Sequence, residues 1–144
     1  MRAFGLDVGT RTVGVALSDA LGITAQALTT LRRSGLRSDL KALKQLAVTH
    51  EVRSAVVGLP LNMDGSEGPS AARSRAFGDA LAKALDVPVH YWDERLSTVA
   101  AHRALRESDL SGERRRELVD QVAAALILQG WLDAQRSRLH EEFE

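Results

Sequence analysis

The chain has 144 residues, 44% hydrophobic and 26% charged, which is the size and balance of one globular domain with its own core and excludes a disordered or fibrous chain. It has no cysteine, which excludes a disulfide framework and a thiolate metal site. Its 19 Lys and Arg balance 19 Asp and Glu, so a polyanion would have to be met by a local basic patch, since net charge supplies no steering.

Residues 2–8 and 12–18 both read as strands, joined by a short glycine-containing link into a hairpin. In the second, Val13, Val15 and Leu17 alternate with Thr12, Gly14, Ala16 and Ser18. Residues 22–33 form a third strand with weaker alternation. Leu36, Leu40, Leu43 and Leu46 then recur at helical spacing across 36–52. The apolar run SAVVGLP (54–60) has the pattern of a buried parallel strand, and PLNMDGSEG (60–68) is a loop. Pro69 suits a first helical turn and opens a helix over 69–85, followed by a fifth strand at 87–92. Further helices are expected at 97–107 and 116–136. The chain enters strand pattern at once and holds no apolar run long enough to span a bilayer. A single cytoplasmic domain over 1–144, with no membrane association, is therefore expected.

Early strands that meander and later ones that return through helices imply an α/β, five-stranded mixed sheet flanked by helices on both faces. Ligands of such sheets sit beyond the carboxyl ends of the parallel strands, where strand order reverses. Asp7 stands near the end of the first strand, and Asp93 and Glu94 end the fifth. Along the first strand Ala3, Gly5 and Asp7 share one face, and small residues there admit a close backbone. The Ala-rich segment VDQVAAALILQGW (119–131) is apolar nearly all round, with Asp120 on the stripe of Ala124, Ile127 and Trp131. A charge on an apolar stripe is costly unless paired or metal-bound. This helix is expected to dock on the small face and bring Asp120 toward Asp7. Clustered carboxylates suit a hard cation, Mg²⁺ or Mn²⁺, and two such ions about 4 Å apart can stabilise both oxygens of phosphodiester cleavage. Taken singly, each acid reads as well as a turn cap, an arginine partner or a helix start.

The four histidines show no ligand spacing, and Ser97 and Thr98 read as helix-capping residues. NMDGSEGPSA could hold a phosphate at the next helix's start, with Arg73 and Arg75 nearby, or be a plain turn. Arg114, Arg115 and Arg116, with Arg103 and Arg106 before them, are either a solvated run or a contact for a phosphate backbone.

The stretches LDVGTRTVGVALSD, VVGLPLNMDGSEGP, DERLST and VDQVAAALILQ, in this order from residue 6 to 129, resemble the bacterial YqgF/RuvX family of Holliday-junction resolvase-like and pre-16S rRNA nuclease proteins. The resemblance implies a ribonuclease H-like fold and a Mg²⁺- or Mn²⁺-dependent nuclease acting on structured RNA or branched DNA. It implies Asp7, Glu94 and Asp120 as the metal-binding, catalytic acids. Asp93 and Thr10 would be outer partners of that centre; Arg11 and Arg95 match motif positions beside it and, together with the Arg73, Arg114, Arg115 and Arg116 read above from the residues alone, would meet nucleic acid. A homodimer would suit a resolvase, which cuts two symmetric strands. The better-known junction resolvases take an acid from the fourth strand. Here that strand ends in Gly58-Leu59-Pro60, so the fifth-strand DER must supply the replacement. Two other classes remain open: an inactive nucleic-acid-binding module, and an actin-like nucleotide-binding domain suggested by DVGTRT alone.

Overall fold

The computed structural model describes residues 2–96, 99 and 112–143, the last segment without the side chains of 113, 114, 142 and 143. Five strands form one sheet in the order β3-β2-β1-β4-β5. Strand β1 (Arg2–Val8) pairs antiparallel with β2 (Thr12–Ser18), which pairs antiparallel with β3 (Ala25–Arg32). On its other side β1 lies parallel to β4 (Val52–Leu59), and β4 lies parallel to β5 (Val89–Asp93). Helix α1 (Leu36–Thr49) follows β3, and α2 (Pro69–Leu85) joins β4 to β5. A short 3-10 turn at Glu94–Leu96 ends β5, and the long helix α3 (Glu113–Phe143) closes the chain. The mixed sheet with helices on both faces is as expected.

Several boundaries differ from the sequence pattern for local reasons. The third strand begins at residue 25, not 22, because the Asp19 carboxylate accepts the Ile23 amide at 2.7 Å and the Thr24 amide at 3.3 Å, bending the chain into a turn. Helix α1 ends at Thr49, and Glu51 then takes a left-handed φ of 56° that starts β4 two residues early. Strand β5 starts two residues late and includes Asp93. Helix α3 runs well past both expected ends, while the helix expected at 97–107, its caps Ser97 and Thr98, and Arg103 and Arg106 lie outside the described residues apart from Val99.

The two faces of the sheet are packed differently. Phe4, Leu6 and Val8 of β1 meet Val13, Val15, Ala55, Val57 and the helix residues Leu43, Phe77 and Leu81 in one core. On the opposite face Ala3, Ala16 and Val56 meet Ala123, Ala124, Ile127 and Leu128 of α3.

Helix α3 lies obliquely on this second face and touches all five strands. The Thr30 hydroxyl of β3 donates to the Glu117 carbonyl at 2.7 Å. The Asp120 backbone lies over Gly14 of β2, Ala124 and Leu128 over Gly5 of β1, and Ile127 over Gly58 of β4, while Gly130 packs on Trp92 of β5. The helix sequence 117, 120, 124, 127, 130 thus follows the spatial order of the strands. The same helix meets β3 again at Gln129, whose Oε1 accepts the Ala25 amide at 2.8 Å, so it runs obliquely, along β3 as well as across the sheet. The side-chain-free positions Gly14, Gly5 and Gly58 fix which residue of α3 stands over which strand.

Candidate functional site

Asp7 is 2% exposed and lies opposite Gly14 in the β1–β2 ladder. Its side chain shares the face of Ala3 and Gly5, under α3, as the alternation requires. Asp120 is 4% exposed, and its Oδ2 accepts the Thr12 hydroxyl at 2.7 Å. Its backbone sits directly above Gly14, where any Cβ would overlap the Asp120 carbonyl. The residue opposite Asp7 therefore has to be glycine for the helix to bring Asp120 this near.

Glu94 arrives differently. It is the first residue of the 3-10 turn after β5, yet it is 2% exposed. A Cβ on Gly58 would lie 2.5 Å from its Oε1 and 2.5 Å from Ile127 Cδ1. The bare backbone of Gly58 makes room for the glutamate beneath α3. Gly58 follows Val57, whose neighbour on β1 is Leu6, so it stands beside Asp7. Three buried carboxylates from three distant stretches thus lie on one face, about the carboxyl ends of β1 and β4, where strand order reverses. All their donor atoms are oxygens, the chemistry a hard cation takes. Among the described residues no group of three His, Cys, Asp or Glu side chains is already gathered as a metal centre. The donor set fits Mg²⁺ or Mn²⁺ in kind, and the acids would have to draw together around it.

Asp93 is placed apart from them. It pairs with Arg95, Nη2 to Oδ2 at 2.7 Å, and also accepts the Arg95 backbone amide at 2.9 Å. The Arg95 guanidinium holds the Asp93 carboxyl below the usual carboxylate range, against the opposing effect of burial. Arg95 in turn donates to the Met63 carbonyl at 3.2 Å and lies over Gly65, tying the 60–68 loop to the turn that carries Glu94. The loop is also braced by its own backbone bonds, Asn62 with Ser66 and Gly65 with Asn62.

Thr10 and Arg11 are exposed in the hairpin turn. The hydroxyl that reaches an acid belongs to Thr12, which sequence reasoning passed over. Alternation carried the signal, since Thr12 shares a face with Gly14 and Ala16. Arg115 and Arg116 are exposed near the start of α3, and Arg73 is half-buried on α2. Arg75 is engaged rather than open to a phosphate. It pairs with Glu67, Nε to Oε1 at 2.8 Å, and stacks 4.8 Å from the Tyr91 ring centroid.

Sheet order and flanking helices make this a ribonuclease H-like fold. Thermus thermophilus RuvC in complex with a Holliday junction substrate aligns at a TM-score of 0.59 over 94% of this chain and 96% of that one, at 14% identity. A second Thermus thermophilus RuvC structure gives 0.57 over 95% and 97%, at 13% identity, a likeness of fold. The chain belongs to the RuvX family, described as Holliday junction resolvase, whose model matches residues 1–134. It is 64% identical, over 94% of its length and 90% of the relative's, to a Myxococcus xanthus (strain DK1622) protein named "Putative pre-16S rRNA nuclease". A protein of the same name from Moorella thermoacetica (strain ATCC 39073 / JCM 9320) is 60% identical over 92% of this chain and 95% of its own. Among the described residues no helix is long and apolar enough to cross a membrane.

Proposed function

We propose that the chain is a Mg²⁺- or Mn²⁺-dependent nuclease that hydrolyses phosphodiester bonds of structured nucleic acid, with Asp7, Glu94 and Asp120 holding the metal. The observation that carries this reading is the burial of these three carboxylates on one sheet face, admitted there by Gly14 and Gly58. When bound, the metal would supply charge stabilisation at the oxygens that enter and leave phosphorus. The chain's own part is positional. Thr12 fixes the Asp120 carboxylate through its hydroxyl. Gly58 seats Glu94, and Asp93 with Arg95 braces the turn on which Glu94 stands. Arg11, Arg115 and Arg116 present exposed cations to a phosphate backbone. Relatives named for pre-16S rRNA favour that precursor as substrate, and the family's own description keeps the four-way DNA junction as the second.

The test compares cleavage of a 5′-extended 16S precursor fragment and of a four-way DNA junction, each with and without Mn²⁺, by wild type and Asp7→Asn. Water-proton relaxation would report Mn²⁺ binding independently of turnover. Metal-dependent cutting of the RNA, lost with Asp7→Asn, is the expected result. Binding of nucleic acid without any metal-dependent turnover would replace the enzyme with an inactive binding module.

A further inference from the structure

Arg33 and Asp39 lie on the sheet face away from the acids, yet both are built into the turn that follows Asp7. Asp39, in the first turn of α1, is 3% exposed. Its Oδ2 accepts Arg33 Nε at 3.2 Å, and its Oδ1 accepts the Ser34 amide at 3.0 Å. The other end of the guanidinium reaches the hairpin turn, where Nη1 donates to the Gly9 carbonyl at 3.1 Å. The Arg33 backbone amide donates to the Arg11 carbonyl at 2.8 Å. Above the guanidinium lies the Phe77 ring of α2, 5.1 Å from Cζ to centroid. Within the turn, the Gly9 amide donates to the Thr12 carbonyl at 2.9 Å. Residues 9–11 are therefore held from inside by the hairpin and from below by one arginine.

A buried ion pair is a poor source of net stability, because desolvation offsets most of the attraction. What this pair supplies is geometry. The planar guanidinium bridges two acceptors at once, Asp39 on a helix and Gly9 on the turn, and a lysine ammonium lacks that fork. Asp7 does not depend on the bridge, because β1 is paired on one side with β2 and on the other with β4. Thr10 and Arg11 do depend on it, since both are exposed and their backbone lies between the two carbonyls that Arg33 holds.

We propose that Arg33 and Asp39 are positioning residues for nucleic-acid binding, fixing the Gly9–Arg11 turn so that Thr10 and Arg11 meet a backbone phosphate of the bound strand. The inference rests on the nuclease reading above and adds a component that acts on substrate binding alone. Its signature is a split between KM and kcat. Loosening the turn weakens binding, while the acids and their metal stay in place.

The experiment uses the full chain and three variants. Arg33→Met keeps the stem over Phe77 and removes the donors, Asp39→Asn removes the partner charge, and Arg33→Lys keeps the charge without the fork. The probes are a fluorescein-labelled four-way DNA junction and a 5′-extended 16S precursor fragment, with Mn²⁺ affinity read by water-proton relaxation. Kd and KM should rise about tenfold in Arg33→Met and Asp39→Asn, as for loss of a buried hydrogen bond to a charged group, and less in Arg33→Lys. Both kcat and Mn²⁺ affinity should hold, and amide exchange at Thr10 and Arg11 should quicken. If Arg33→Met does not fold, the other two variants carry the same measurements. Wild-type protein that binds neither probe would overturn the nuclease reading. Wild type that binds, beside variants that bind equally well or lose kcat at constant KM, would overturn this inference alone.

Discussion

The same β1 strand builds two opposite environments. Its even-numbered residues, Phe4, Leu6 and Val8, enter a core of large side chains under α1 and α2. Its odd-numbered residues, Ala3, Gly5 and Asp7, lie under α3, where helix backbone comes down onto sheet backbone. On the first face side-chain volume separates helix from sheet, and hydrocarbon contact supplies the stability. On the second face glycine removes that volume, and the space released goes to carboxylates. Close packing between backbones is thus how a small domain carries three acids inside and still excludes water around them.

Changing one group on each face separates the two environments. Asp7→Asn and Glu94→Gln should each lower cleavage about a thousandfold or more, with thermal melting little changed, because each removes a negative charge that holds the metal and no packing volume. Leu81→Ala, wholly buried on the other face, should cost about 2–5 kcal/mol of unfolding free energy and leave kcat at permissive temperature intact. Denaturant melts and single-turnover rates on all three proteins decide it. An Asp7→Asn protein that turns over normally, or a Leu81→Ala protein as stable as wild type, would erase the distinction.

Gly14→Ala joins the two regimes. The added methyl meets the Asp120 carbonyl, which belongs to a helix packed across all five strands and has little freedom to retreat. Overpacking of this kind costs about 1–3 kcal/mol, and it should also lower Mn²⁺ affinity by displacing Asp120. Lost stability with unaltered Mn²⁺ binding would show that Asp120 does not depend on the close approach.

Much of this was legible in the sequence. Period-two alternation gave the faces of β1 and β2, and the Ala-rich stripe of 119–131 gave the helix that lies on the small face. Both are local patterns with one dominant physical cause, the segregation of apolar and small residues. The choice between Asp93 and Glu94 was not legible by alternation, because the chain leaves extended geometry at Glu94 and turns into a 3-10 coil. The part of Thr12 required knowing that Asp120 would stand over β2, a register set by the close approach of helix backbone at Gly14. The Arg33–Asp39 bridge joins a strand end to a helix start through a turn carbonyl, and no periodicity marks such a contact.

Between the inside and outside acids the expected effects are smaller. Asp93→Asn should reduce cleavage by roughly 10–100-fold, as for a partner that orients a metal site from outside, against the much larger loss in Glu94→Gln. Near-normal Glu94→Gln beside inactive Asp93→Asn would reverse the assignment. Replacing Arg115 and Arg116 by Ala, with Arg114 alongside, should weaken binding and flatten the salt dependence by about one unit of slope for each phosphate no longer neutralised. An unchanged slope would make this run a solvated helix end.

The smallest effect concerns Arg95, and it separates a brace from a phosphate ligand. Its pairing with Asp93 lowers the folded pKa of that carboxyl below the ordinary value of 3.8. A depressed carboxylate pKa stabilises the fold above the unfolded value, and the benefit fades as pH falls through the folded one. At neutral pH the pair is therefore fully formed, and much of the guanidinium's charge is already answered by Asp93. Its side chain is 38% exposed, so solvent screens the pair and the stability involved is small. Arg11, in the hairpin turn, is the better placed cation for nucleic acid. Arg95→Gln should accordingly raise the Asp93 titration midpoint toward 3.8 and speed amide exchange in the 62–66 loop, through loss of the bond to Met63. It should leave the salt slope of binding where it was, whereas Arg11→Gln should flatten it. Carboxyl-carbon NMR titration and binding across a salt series distinguish the two. A flattened slope in Arg95→Gln with an unmoved Asp93 midpoint would make Arg95 a direct phosphate contact and the loop brace incidental.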